Sequence, residues 1–133
     1  MMRRLLILIA LALFANVAFA QVDAHAGDEF LALVDAKKYS QAYDACSDYL
    51  KQSISRGEWT SQLVKERETI GTLASRKLIE AKPIHDMPGA PKGDYLLLTY
   101  ASVFASQGKP MTETLPMIKA PDGRWRPVGY FVR

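Results

Sequence analysis

Cysteine is almost missing from this chain. Cys46 is the only one in 133 residues. No intrachain disulfide can form, and a structural zinc site, which takes about four Cys or His ligands, is out of reach. Histidine is equally scarce. His25 and His85 stand sixty positions apart, so no metal is expected. A Ser-His-Asp or Cys-His catalytic set would require His85, in a proline-rich stretch, to meet Cys46 or a serine, and nothing in the spacing demands that. His85-Asp86 reads as a surface pair, and no catalytic residue and no cofactor are expected. Dense basic stretches are also lacking. Lys37-Lys38 and Arg76-Lys77 are isolated pairs read as solvated surface, and nucleic-acid binding needs a concentrated basic stripe to neutralise phosphates. The lone thiol is expected to be buried, since a free cysteine behaves as a small hydrophobe.

Long apolar runs are absent save one. Arg3 and Arg4 precede an unbroken run from Leu5 to Phe14, and Ala18-Phe19-Ala20 follows as a small-x-small cleavage pattern. This is the layout of a secretory signal, with cleavage expected between Ala20 and Gln21. The run is shorter than the ~20 residues a retained span needs, so no stable membrane anchor is expected after cleavage. The chain therefore divides into a signal peptide, 1–20, and one domain, 21–133, expected to be periplasmic or secreted. The whole chain carries 17 basic against 14 acidic residues, and loss of Arg3 and Arg4 leaves 15 against 14. Some 110 residues suffice for a single core.

Within the domain, Gln21 to Gly27 reads as a frayed leader. Phe30, Leu31 and Val34 begin a helical face closed by Lys37-Lys38. Ser40 reads as the N-cap of a second helix whose face is Ala42, Tyr43, Cys46, Tyr49 and Leu50. Ser55-x-x-Glu58 fits a capping box opening a third helix. Trp59, Leu63, Ile70 and Leu73 run down its buried side, and Glu66, Arg67 and Glu68 take the exposed one. After Ser75 the pattern alternates. Strands are expected at Leu78–Ile84, with Pro83 marking an edge or bulge, at Tyr95–Phe104, at Thr112–Ile118 and at Arg124–Val132. The turns are Met87–Gly93, Gln107–Lys109 and Pro121–Gly123. Three helices followed by a four-stranded antiparallel meander make an α+β fold.

The ending Asp122 to Phe131 resembles the closing hairpin of NTF2-like, cystatin-like cone domains. The wider set resembles a family known only as domain of unknown function 4019. That set is Phe30 to Asp35, Trp59, Ser75 to Leu78, Pro88-Gly89-Ala90-Pro91 with Gly93 and Tyr95, Glu113-Thr114, and Gly123 to Arg133. Lys92 departs from the acidic or polar residue expected in that loop. The resemblance implies an exported bacterial domain of helices on a curved four-stranded sheet, and it brings no established activity.

Glu113 is the sharpest candidate. If the last two strands pair across an even turn at Ala120–Gly123, then Glu113, Leu115 and Met117 share a face with Val128, Tyr130 and Val132. An odd loop would move Glu113 to the other face. On an apolar concave face Glu113 could act as acid or base. The plainer alternative pairs it with Arg126, Arg124 or Lys109 at a strand end. Trp59, Tyr100 and Tyr130 are candidate pocket walls beside it, although aromatics also simply fill cores. Trp125 and Phe131 are candidate interface anchors on the outer sheet face. The function expected is a non-enzymatic exported domain that binds a small ligand or an envelope protein. The alternatives are a cone-fold isomerase or dehydratase using Glu113, and a homodimeric assembly module.

Overall fold

The structure, a computed structural model, describes residues 23–133. The expected signal peptide and its expected cleavage point lie outside the described residues. Four helices come first: α1 Asp28–Asp35, α2 Tyr39–Ala45, α3 Asp48–Ser53 and α4 Arg56–Ile70. Five strands follow: β1 Leu73–His85, β2 Asp94–Phe104, β3 Met111–Lys119, β4 Trp125–Pro127 and β5 Phe131–Val132. The sheet is antiparallel in the order β1-β2-β3-β4, with β5 also on β3. The expected α+β order of helices before sheet is what the chain adopts.

Two differences at the helical end have clear causes. The stretch before α1 is not frayed over Asp23–Gly27. Turn hydrogen bonds run from Ala26 N to Asp23 O and from Asp28 N to His25 O. Gly27 is buried so closely that an added Cβ would lie 2.7–2.9 Å from Leu115, Leu98 and the Tyr100 hydroxyl. The expected second helix is two. Cys46 and Ser47 are extended (ψ 163 and 158), Ser47 Oγ accepts from Leu50 N at 3.2 Å, and Ser47 N donates to Pro127 O at 2.9 Å. A serine that caps a new helix and ties itself to β4 breaks the old one. The first of the two begins at Tyr39 with no side-chain cap, so Ser40 is not its N-cap. Ser55 does cap α4, accepting from Glu58 N.

β1 forms the sheet edge, as Pro83 foretold, and bulges between Leu78 and Glu80. The last strand is interrupted. Ala120 and Arg124 close a loop of three residues, an odd number, so Met117 faces Pro127, where an even turn would have set it opposite Arg126. Beyond Val128-Gly129 the register slips by one, and Glu113 faces Val132. Glu113 therefore stays on the helix side with Leu115 and Met117, all buried, despite the odd loop.

The core lies between that sheet face and the helices. Leu96, Leu98, Leu115 and Met117 meet Leu31, Val34, Leu50 and Leu63. Phe30 sits at its centre, its ring 6.1 Å from Trp59 and 5.7 Å, edge-on, from Tyr130.

Candidate functional site

The sheet face turned toward the helices carries a closed cluster of charge. Alternation in β3 turns Glu113 inward, and its carboxylate is wholly buried. Arg76 comes inward from β1 beside Leu78, and Ser102 from β2, with which Arg76 is in register. Arg76 donates Nε to Glu113 Oε1 at 2.6 Å and Nη2 to Glu113 Oε2 at 3.0 Å. On its other side it donates to Asp35 at the end of α1, Nη1 to Oδ2 at 2.7 Å and Nη2 to Oδ1 at 3.0 Å. Ser102 Oγ and the Tyr130 hydroxyl also donate to Glu113. Arg67 on α4 completes the ring, donating to Asp35 Oδ1 at 2.9 Å and to the Tyr130 hydroxyl at 3.3 Å.

Two guanidinium groups thus balance two carboxylates, and every contact is a charge-assisted or hydroxyl hydrogen bond. Burial by itself would lower the Arg76 guanidinium pKa, but its bonds to Asp35 and Glu113 outweigh that and raise it. Burial and the neighbouring Glu113 charge push the Tyr130 phenol up, keeping it a donor. Glu113 accepts four hydrogen bonds, which fills the lone-pair positions of a carboxylate. Asp35 reaches furthest toward solvent, its side chain 24% exposed against 15% for Arg76. With Arg67 it lines a cleft of about 300 Å³ between α1 and α4, whose walls include Val34 and Val64.

The four expected pocket residues all occur on or against this inner face. Tyr100 is in register with Glu113 and its ring lies 5.9 Å from the Arg76 guanidinium. Burial pushes its phenol up to about 12, and its oxygen has no hydrogen-bond partner among the described residues. Trp59 is buried one ring further off, against Phe30 and Tyr43. Glu113 does not line the 300 Å³ cleft, and its counter-ion is Arg76, not Arg126, Arg124 or Lys109. Arg126 pairs instead with Asp122 at 3.0 Å.

Sequence reading missed Asp35, Arg67, Arg76 and Ser102. Arg67, assigned to the exposed side of α4, is 7% exposed. It stands four residues after Leu63 and eight after Trp59, in the apolar stripe, which was the signal to find it. Arg76 of the supposed surface pair turns inward, while Lys77 is exposed. Phe131 lies on the outer face and is 50% exposed. Trp125 does not join it. The odd loop puts Trp125 on the helix side, packed against the core with Lys119 5.7 Å from its ring, and the slip at Val128-Gly129 then returns Phe131 to the outer face.

Elsewhere, Cys46 is buried and its thiol donates to Ala42 O, with burial pushing it up to about 12. His85 is exposed and bonds Asp94 at 3.0 Å, with Asp86 at 3.5 Å. Among the described residues no three His, Cys, Asp or Glu side chains gather as a metal site, and no helix is long and apolar enough to cross a membrane. A larger open space, about 540 Å³, lies at one end of the sheet, between the start of α3, the loop through Pro91 and the β3–β4 turn. Tyr49, Pro91, Ile118 and Pro121 supply its apolar surface, and Lys51, Lys119 and Asp48 its charge.

The model of a family described as protein of unknown function (DUF4019) matches residues 26–130. No curated protein and no solved structure matches the chain.

Proposed function

The chain belongs to the DUF4019 family of proteins of unknown function, and from that premise we propose that it is an exported domain that binds a small ligand or an envelope protein and performs no chemistry of its own. The observation that carries this is the saturation of Glu113. A general base needs a lone pair within reach of a substrate proton. All of those on Glu113 are taken by Arg76, Ser102 and Tyr130, in a space filled by these side chains. The isomerase or dehydratase alternative would have to break this ring to begin. An NTF2-like cone is the fold we propose for the family, on the order of elements and the closing hairpin.

Small-ligand binding is best placed in the 540 Å³ cleft, which is large enough for an organic ligand. The assembly alternative now rests on Phe131 alone, since Trp125 faces inward.

The test is native mass spectrometry and N-terminal sequencing of the chain recovered from its own periplasm. We expect a chain beginning at Gln21 that carries a non-covalent adduct or a co-isolated protein. An adduct in the cleft should vanish in Ile118→Arg. A chain retained in the cytoplasm with Met1 overturns export. A bare periplasmic chain with no companion overturns the binding reading.

A further inference from the structure

Resting on that reading, we infer that the outer face of the sheet docks an acidic protein partner. Among the described residues the helices pack on the face of Leu98 and Leu115, and alternation along the strands assigns the other. Its rows are Ile84–Tyr95–Ile118–Arg126, Lys82–Leu97–Pro116, Glu80–Thr99–Thr114–Phe131 and Lys77–Ala101–Thr112. Leu97 and Val103 are half-buried there and Phe131 stands out at 50% exposure, whereas Tyr95 is buried with its hydroxyl on Pro91 O, and Ile118 lines the 540 Å³ cleft beside Tyr49, so the open part of the face lies away from that end. The free cations of this face, Lys77 and Lys82, lie exposed on the edge strand beside the apolar middle, with Glu80 the one acidic residue in the rows, while Arg126 on the far side is already paired with Asp122.

Charge is divided between the layers in the same sense. Residues 23–70 hold nine acidic and six basic side chains, and residues 71–133 hold nine basic and five acidic. The helical half is thus −3 and the sheet half +4. An apolar centre with a basic rim selects a partner with an apolar centre and an acidic rim, because opposite potentials steer encounter and like charges reject wrong partners.

Three physical points favour a protein over the other occupants. The face spans four strands and the eleven residues of β2, on the order of 500 Å² at ordinary strand spacings, which suits a transient protein complex. An anionic lipid surface would strip water from Thr99 and Thr114 without replacing their hydrogen bonds, whereas a protein surface can supply partners. A second copy packed face to face would bring an excess of cations against the same excess.

The experiment is site-specific photo-cross-linking of the full chain in its native host, with p-benzoylphenylalanine at position 131 and, as a helix-layer control, at position 62. We expect one protein species captured at 131 and not at 62. Once identified and purified, it should be acidic. It should bind the wild-type chain in a salt-sensitive manner and bind Lys77→Glu/Lys82→Glu at least roughly tenfold more weakly. Both lysines are exposed on the edge strand, so the variant should keep the wild-type circular dichroism and melting temperature. Capture of a second copy overturns the proposal. So does a partner indifferent to the charge reversal, or binding to phosphatidylglycerol vesicles in place of a protein. Capture at 62 alone overturns this face while leaving the binding-domain reading intact. Failure of both, with no ligand in the cleft, defeats that reading as well.

Discussion

At the scale of single residues, the buried ring of charge behaves as a unit. Arg76 is its hinge, holding Asp35 and Glu113 through four hydrogen bonds. Removing one partner of a buried ion pair costs about 3–5 kcal/mol, because the other charge stays behind unpaired. Arg76→Met should therefore lower unfolding stability by roughly that amount in urea titration. Arg76→Lys should recover only part of it, since an ammonium cannot fork to two carboxylates. Arg76→Met/Glu113→Leu should cost less than Arg76→Met alone, and a larger loss in the double variant would refute the account. Cys46 gives a second check. Burial pushes its thiol to about 12, so at pH 8 it should resist iodoacetamide in the native chain and react promptly in urea. His85 gives a third. Its bond to Asp94, with Asp86 nearby, raises its pKa above the ordinary 6.5. Its contribution to the β1–β2 hairpin is then complete below pH 6.5 and fades as pH rises through the higher folded value. An NMR titration should place the His85 midpoint above 6.5, and Asp94→Asn should bring it down.

At the scale of elements, junctions decide more than propensities. Gly71 ends α4 at φ 84, ψ −169, a region essentially reserved for glycine. A Cβ there would also lie 3.0 Å from the Ser106 backbone nitrogen. Gly71→Ala should destabilise by roughly 1–3 kcal/mol from backbone strain, measurable as a lowered urea midpoint. β1 is a thirteen-residue free edge, a template for unwanted pairing that its exposed lysines, Pro83 and bulge keep blunt. Lys82→Thr/Pro83→Val should raise light scattering on concentration without lowering monomer stability. Legibility in the sequence follows the same division. Elements governed by local rules could be read: the Ser55 cap, the apolar run of β2, the edge position announced by Pro83. Elements governed by distant contacts could not. Ser47 breaks a helix for the sake of Pro127 O, and the slip at Val128-Gly129 separates Trp125 from Phe131. In the site, alternation along β3 placed Glu113 beside Tyr130 and Tyr100. Arg67 and Arg76 were missed because arginine is ordinarily a surface residue, and only its partners, far off in the chain, reveal that it is not.

At the scale of the whole molecule, the charge cluster draws on α1, α4, β1, β2, β3 and the residue just before β5. Tyr130 closes it from just before β5, and Thr112 pairs its backbone with Arg133. A chain ending at Gly129 would therefore bury Glu113 with a donor missing and lack β5. It should lose the cooperative unfolding transition seen by circular dichroism. Synthesis runs from the N-terminal side, so the helices and the first three strands exist before the hydroxyl that completes the ring. The buried charges are therefore the last part of the core that a growing chain can secure, and everything made earlier waits on Tyr130.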